Sequence, residues 1–167
     1  MTQISEASLR GLAGDIQTEL THLRRLANDI AAVHAEIARD PAHARLFYEN
    51  LALKLHNFYT GCERIFQMVV SELNGAPPFG FDWHRRLLDR MGATWQERPP
   101  LLSLQSVDNL REYLAFRHIV RNIYGFELDE ERVERLVSRY PTVWSMVETD
   151  IQKFVVWIER FAEELAE

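Results

Sequence analysis

Two adjoining stretches, together nearly half of the chain, repeat apolar residues at helical spacing, and little except a pair of long packed helices can satisfy that pattern. From about residue 5 to 39, Leu9, Leu12, Ile16, Leu20, Leu23, Ala27, Ile30 and Ile37 recur at intervals of three, four or seven with charges between them, the signature of an amphipathic helix. From about 41 to 74 the same rhythm runs through Phe47, Leu51, Leu55, Phe58, Cys62, Ile65 and Val69. Only "RDPAH" separates the two. Asp40 is expected to cap the second helix, with Pro41 in its first turn, where the missing N–H is harmless. Two such helices joined by a tight turn make an antiparallel hairpin on the order of 50 Å long, at about 1.5 Å per residue.

The rest of the chain supplies the helices that cover this hairpin. "NGAPPFG" ends the second segment, since paired prolines and flanking glycines continue neither a helix nor a central strand. A short helix over about 81–91 and the loop "ERPPLLSLQ" follow. Ser103 or Ser106 can then cap a fourth helix carrying Val107, Leu110, Leu114 and Val120 to about Tyr124, with Gly125 as its C-terminal cap. Asp129, Glu130 and Glu131 open a fifth helix in the sense that the helix dipole favours. Pro141 is expected to break or kink it, ahead of a further stripe through Val147, Ile151, Phe154, Ile158, Phe161 and Leu165. No strand alternation, internal repeat or low-complexity segment is present. The fold class predicted is all-α: an up-and-down bundle of four main helices plus a short one, with residues 1–167 as a single domain.

Composition narrows the chemistry. At 167 residues, 47% of them apolar and 26% charged, the chain has the balance of one globular domain. No apolar run approaches the roughly 18 residues that cross a bilayer, and "MTQISEASLRGL" lacks the basic-then-apolar order of a secretory signal. A soluble cytoplasmic protein with no membrane partner is expected. Cys62 is the single cysteine, and its apolar surroundings suit a buried small hydrophobe better than a nucleophile. A net charge of −6 argues against coating nucleic acid by diffuse attraction but leaves room for a small basic site. The six histidines form no HExxH pair and have no cysteine partner, Glu63 and Glu72 lack the Glu-x-x-His repeats of a di-iron bundle, and phosphate-binding glycine loops are absent. No metal or other cofactor is therefore expected. The aromatics Phe58, Tyr59, Phe66, Trp144, Phe154, Trp157 and Phe161 sit at helical spacings that assign them to a core.

One stretch carries more polar chemistry than a bundle needs. In "FRHIVRNIYGFELD", residues 116–129, about 100° of rotation per residue puts Arg117, Arg121 and Tyr124 on one stripe and His118 and Asn122 on the next. Arginines four apart repel, so an anion or an acid should lie against them. No acid falls between Glu112 and Glu127. A structural account is an ion pair from Arg117 to Glu63 or to another acid on a neighbouring helix. The functional account is a surface that grips phosphate, for which the planar guanidinium fork is suited.

"FRHIVRNIYGFELD", together with "LHNFYTGCERIF" and "RPPLLS", resembles the HepT-like branch of the HEPN superfamily over about residues 43–137. Members of that superfamily are helical ribonucleases that include toxins of toxin–antitoxin pairs, and their pattern is Arg, four residues, His, one residue, Tyr. Arg117 and Tyr124 match it, and Asn122 stands where the histidine belongs. The resemblance implies a metal-independent endoribonuclease acting at a homodimer cleft, with RNA as substrate. Arg117 would hold the scissile phosphate, with Arg121 beside it. It also implies a minimal nucleotidyltransferase antitoxin that transfers AMP to Tyr124, placing negative charge where RNA phosphate must enter. An asparagine amide does not exchange a proton near neutral pH. Three accounts of Asn122 stay open: a substitution introduced to silence a toxic product, a natural variant in which His118 moves the proton, or a module that binds without cutting. A catalytically silent RNA- or nucleotide-binding module and a helical protein–protein adaptor are the rival readings.

Overall fold

The computed structural model of the protein describes residues 4–120 and 127–166. Five helices carry the fold: α1 (Glu6–Arg39), α2 (Ala44–Val69), α3 (Trp83–Met91), α4 (Leu104–Val120) and α5 (Glu130–Glu164). Among the described residues there is no strand; Trp95 and Arg98 form one isolated backbone bridge. α1, α2, α4 and α5 are the main bundle helices and α3 is a short one set against α2 and α4, which is the all-α architecture expected.

Local chemistry explains most boundaries. Ser5 caps α1 reciprocally with Ser8: each hydroxyl accepts the other's backbone N–H at 3.1 Å, so two orphan donors are satisfied at once. Between α1 and α2, Pro41–His43 forms a 3-10 turn with the proline in its first position. Asp40 does not cap it as expected. Its carboxylate instead accepts from His43 Nδ1 at 2.8 Å and makes no capping bond to the turn among the described residues. The second helix is shorter than its periodicity implied, because Val70–Asn74 widens into a π-helical turn before Gly75 at φ 83°. Ser103, rather than Ser106, begins α4: its Oγ accepts Ser106 N–H at 3.2 Å. Asp150 Oδ2 receives both hydroxyls, at 2.8 and 2.7 Å, and the Ser103 amide at 2.9 Å, pinning the start of α4 to α5.

α5 runs through Pro141 without the break that was one of the two outcomes expected there. A proline inside a helix forfeits one backbone bond and crowds a carbonyl, at about 3 kcal/mol. Here Val137, Tyr140, Val143 and Trp144 are buried on both sides of it. Each such burial returns roughly 1.5–3 kcal/mol when complete, so packing outweighs the local defect. The C-terminal end of α4 beyond Val120, where Gly125 was expected to act as a cap, lies outside the described residues, whereas Asp129 caps α5 by accepting Arg132 N–H at 3.1 Å.

The core runs the length of the bundle. The apolar stripes of α1 and α2 interlock through Leu9, Ile16, Leu20, Leu55, Phe58 and Phe66, all essentially inaccessible. Phe58 lies edge-on to Tyr113, Tyr140 and Trp144 at centroid separations of 5.4, 4.9 and 6.1 Å, an arrangement the ring quadrupoles favour. Cys62 is fully buried, and that burial pushes its thiol well above the usual range. It is a packing residue, not a nucleophile. α1 packs tightly on α2 at Gly61, where a Cβ would stand 2.6 Å from Leu23 Cδ2.

Candidate functional site

α2, α3 and α4 converge on a cluster of three groups able to carry charge. Glu63 belongs to the buried face of α2, four residues after Tyr59 and three before Phe66, so its carboxylate enters the core. A buried carboxylate needs donors. His84, in the first turn of α3, and Arg117, near the end of α4, supply them. His84 Nδ1 lies 2.6 Å from Glu63 Oε2, and because an ionised carboxylate only accepts, this contact puts the imidazole proton on Nδ1. The other ring nitrogen is then left to face elsewhere.

Arg117 is 9% exposed. It is turned inward, so the open stripe expected for Arg117 with Arg121 and Tyr124 is corrected for this residue, and the predicted ion pair with Glu63 is the arrangement found. That pair is long. Arg117 Nη2 stands 3.6 Å from Glu63 Oε1, against about 2.7–2.9 Å for a charge-assisted hydrogen bond. Nη1 sits 3.4 Å from His84 Nδ1 and 3.5 Å from Nε2, equidistant from both ring nitrogens instead of aligned on one lone pair. Nε has no hydrogen-bond partner among the described residues. A guanidinium offers five N–H donors, and none of the contacts between Arg117 and another described residue is a short bond to oxygen.

Aromatic groups wall the cluster. The Trp83 indole stacks on the His84 imidazole at 3.6 Å, and His118 meets the same imidazole edge-on at 5.6 Å. Trp83 is half-buried and His118 exposed, so the cluster reaches the surface on this side. Tyr59 is fully buried beneath it, with no hydrogen-bond partner for its hydroxyl among the described residues. Burial foremost, then Glu63 and Cys62, push its phenol well above its ordinary range, while the Arg117 charge opposes the shift.

The structure therefore brings Arg117 and His118 to one place, with Glu63, which the sequence offered only as an ion-pair partner for Arg117, and His84, which it did not place there. Glu63 carried a signal: a carboxylate in register with Tyr59 and Phe66 must point inward and demand a cation. His84 carried none, since it reaches the cluster only through the fold. Arg121, Asn122 and Tyr124 lie outside the described residues. Among the described residues no group of three or more His, Cys, Asp or Glu side chains could hold a metal ion. Among the described residues no helix is long and apolar enough to cross a membrane.

A family model described as HepT-like protein matches residues 50–158, roughly two thirds of the chain and every residue named in the cluster. The chain belongs to the HepT-like protein family. No curated protein and no solved structure matches it significantly.

Proposed function

We propose that this chain is the toxin subunit of a HepT-like toxin–antitoxin pair, a cytoplasmic, metal-independent endoribonuclease whose phosphate-binding group is Arg117. Residues 1–167 act as one domain, paired with a second copy so that two such clusters border a shared cleft. One observation supports this above the others: a cation almost wholly buried holds no short bond to an oxygen of another described residue, beside a histidine and a carboxylate. Burying a charge without good acceptors is destabilising. A phosphate oxygen arriving at the guanidinium would provide the acceptor that Glu63, at 3.6 Å, meets only loosely.

In this reading the scissile phosphate exchanges the long Glu63 contact for bidentate bonds to Arg117, and the guanidinium stabilises the charge that builds on phosphorus in the transition state. Arg121 adds charge along the backbone. Tyr124 is the acceptor for AMP from a nucleotidyltransferase antitoxin, and the added phosphate shuts the site electrostatically. Cleavage of a fluorogenic RNA in EDTA should fall at least about 100-fold in Arg117→Ala, and light scattering should show a dimer. Undiminished cleavage in Arg117→Ala would defeat the assignment. AMP addition, read by mass spectrometry with the transferase and ATP, should disappear in Tyr124→Phe.

Asn122 favours one second reading, a module of the same family that binds RNA or a nucleotide without cutting it. Binding by the chain as it stands, with cleavage gained only in Asn122→His, would select a silenced nuclease. Binding with no cleavage in either would select the silent module. An acidic protein partner captured in place of RNA would select the adaptor.

A further inference from the structure

The motif asparagine leaves the proposed reaction without a proton-transfer group, and the cluster contains a side chain already arranged for the task. We propose that His84 is the general base of this site and that Glu63 is its positioning residue; this rests on the ribonuclease reading above. Histidine is the side chain whose ordinary titration range spans neutral pH. His84 is held as such bases are held: Nδ1 donates to a buried carboxylate at 2.6 Å, which fixes the tautomer and makes Nε2 the accepting nitrogen of the ring, with only a long contact to Arg117 for a phosphate-bound guanidinium to give up. Trp83 stacked on the ring at 3.6 Å fixes its plane. Nε2 lies 3.5 Å from Arg117 Nη1, so a phosphate bonded to that guanidinium brings its neighbouring ribose within reach of the imidazole.

His118 was the sequence's alternative for the missing histidine. Its ring is on the surface, 5.6 Å from His84 by centroids, and the carboxylate that orients an imidazole beside Arg117 belongs to His84. The step balances without a metal or a redox partner. His84 Nε2 takes the proton from the ribose 2′-hydroxyl, and the 2′-oxygen forms a bond to phosphorus. The bond from phosphorus to the 5′-oxygen breaks, and that oxygen leaves with the electron pair and takes a proton from water. The imidazolium then returns its proton to solvent. The products are a 2′,3′-cyclic phosphate and a 5′-hydroxyl.

The test uses the full chain and a fluorogenic RNA, comparing the protein as it stands with His84→Gln, His84→Ala, Glu63→Gln, Arg117→Ala, Asn122→His and a surface control, His22→Gln. The unaltered chain should cleave. His84→Gln should lower kcat by at least about 100-fold with KM changed less than about threefold, added imidazole should restore part of the rate in His84→Ala, and Glu63→Gln should displace the acidic limb of the pH–kcat profile. His22→Gln should behave as the unaltered chain. A melting curve for each variant separates lost chemistry from lost fold. A normal rate in His84→Gln with none in Arg117→Ala would overturn the role of His84 and leave the nuclease standing. Cleavage confined to Asn122→His would do the same. No cleavage by the unaltered chain or by Asn122→His would end both readings.

Discussion

Two arginines in this bundle are buried almost equally and have different surroundings. Arg98, 3% exposed, donates from Nη1 to Pro99 O at 2.9 Å and from Nη2 to Arg90 O and Ala93 O at 3.0 and 3.2 Å. Two of these carbonyls, Arg90 O and Ala93 O, lie where α3 ends and carry the negative end of the helix dipole, and Arg90 O also accepts the Ala93 N–H at 3.3 Å. Burial pulls its pKa below the ordinary arginine value, though nothing in its role needs a deprotonated form. Arg117, 9% exposed, has a carboxylate at 3.6 Å and an imidazole at 3.4 Å. Arg98 is a structural clamp with oxygen partners in place for both terminal nitrogens; its Nε, like that of Arg117, has none among the described residues, so the two differ at Nη1 and Nη2. Arg117 has its charge compensated but its hydrogen bonds unfulfilled by other described residues, which is the arrangement the proposed phosphate site requires.

The contrast predicts opposite consequences for the two sites, and the largest falls at the clamp. Arg98→Ala leaves three carbonyls without a charged donor and should lower stability by about 4 kcal/mol, a drop in Tm of roughly 12 °C by circular dichroism. RNA binding below that temperature should be unaffected. A loss under about 1 kcal/mol would erase the distinction. Glu63→Ala strands the Arg117 charge in a buried setting and should lower stability by about 3 kcal/mol in denaturant. Arg117→Met, which keeps volume and leaves Glu63 bonded to His84, should lower it by only about 1 kcal/mol, yet abolish phosphate recognition. An Arg117→Met variant as unstable as Arg98→Ala would mean that both arginines are clamps.

The smallest effect is alkaline. Tyr59, Tyr113 and Tyr140 are buried, and that burial raises each phenol above its ordinary value. Groups raised in the folded state contribute stability that is fully present below the unfolded phenol pKa of about 10 and is lost as pH rises from there through the folded values. The phenol contribution should therefore be flat from neutral pH to about 9 and decline above 10, added to the loss that the buried Cys62 thiol begins at about 8.5. In Arg117→Met the loss due to Tyr59 should begin at the same pH and continue to still higher pH, since the charge opposing its shift is gone. Denaturant titrations at fixed pH would show it.

The helices were legible in the sequence because their cause is local. Leu9, Leu12, Ile16, Leu20 and Leu23 on one side, and Leu51, Leu55, Phe58, Cys62 and Ile65 on the other, are buried as their spacing required. Where the cause was tertiary the reading failed. Pro141 stays within α5 because of packing contributed from elsewhere. Arg117 was read as part of an open stripe, but α4 packs against α2, α3 and α5, so adjoining sides of one helix are covered and Phe116 and Arg117 are buried side by side. His84 is 21 residues from Glu63 in sequence and 2.6 Å from it in space. Nothing in the spacing along the chain encodes that approach.

The most direct test of the account is the affinity of the protein for an uncleavable 2′-O-methyl RNA, measured by fluorescence anisotropy across a range of salt in the unaltered chain and in Arg117→Met. If the Arg117 guanidinium receives a backbone phosphate, the variant should bind at least about tenfold more weakly whatever the sequence, and its salt slope should fall by about one. Equal affinity and an equal slope in the two proteins would show that the charge buried beside Glu63 and His84 is there for the fold alone.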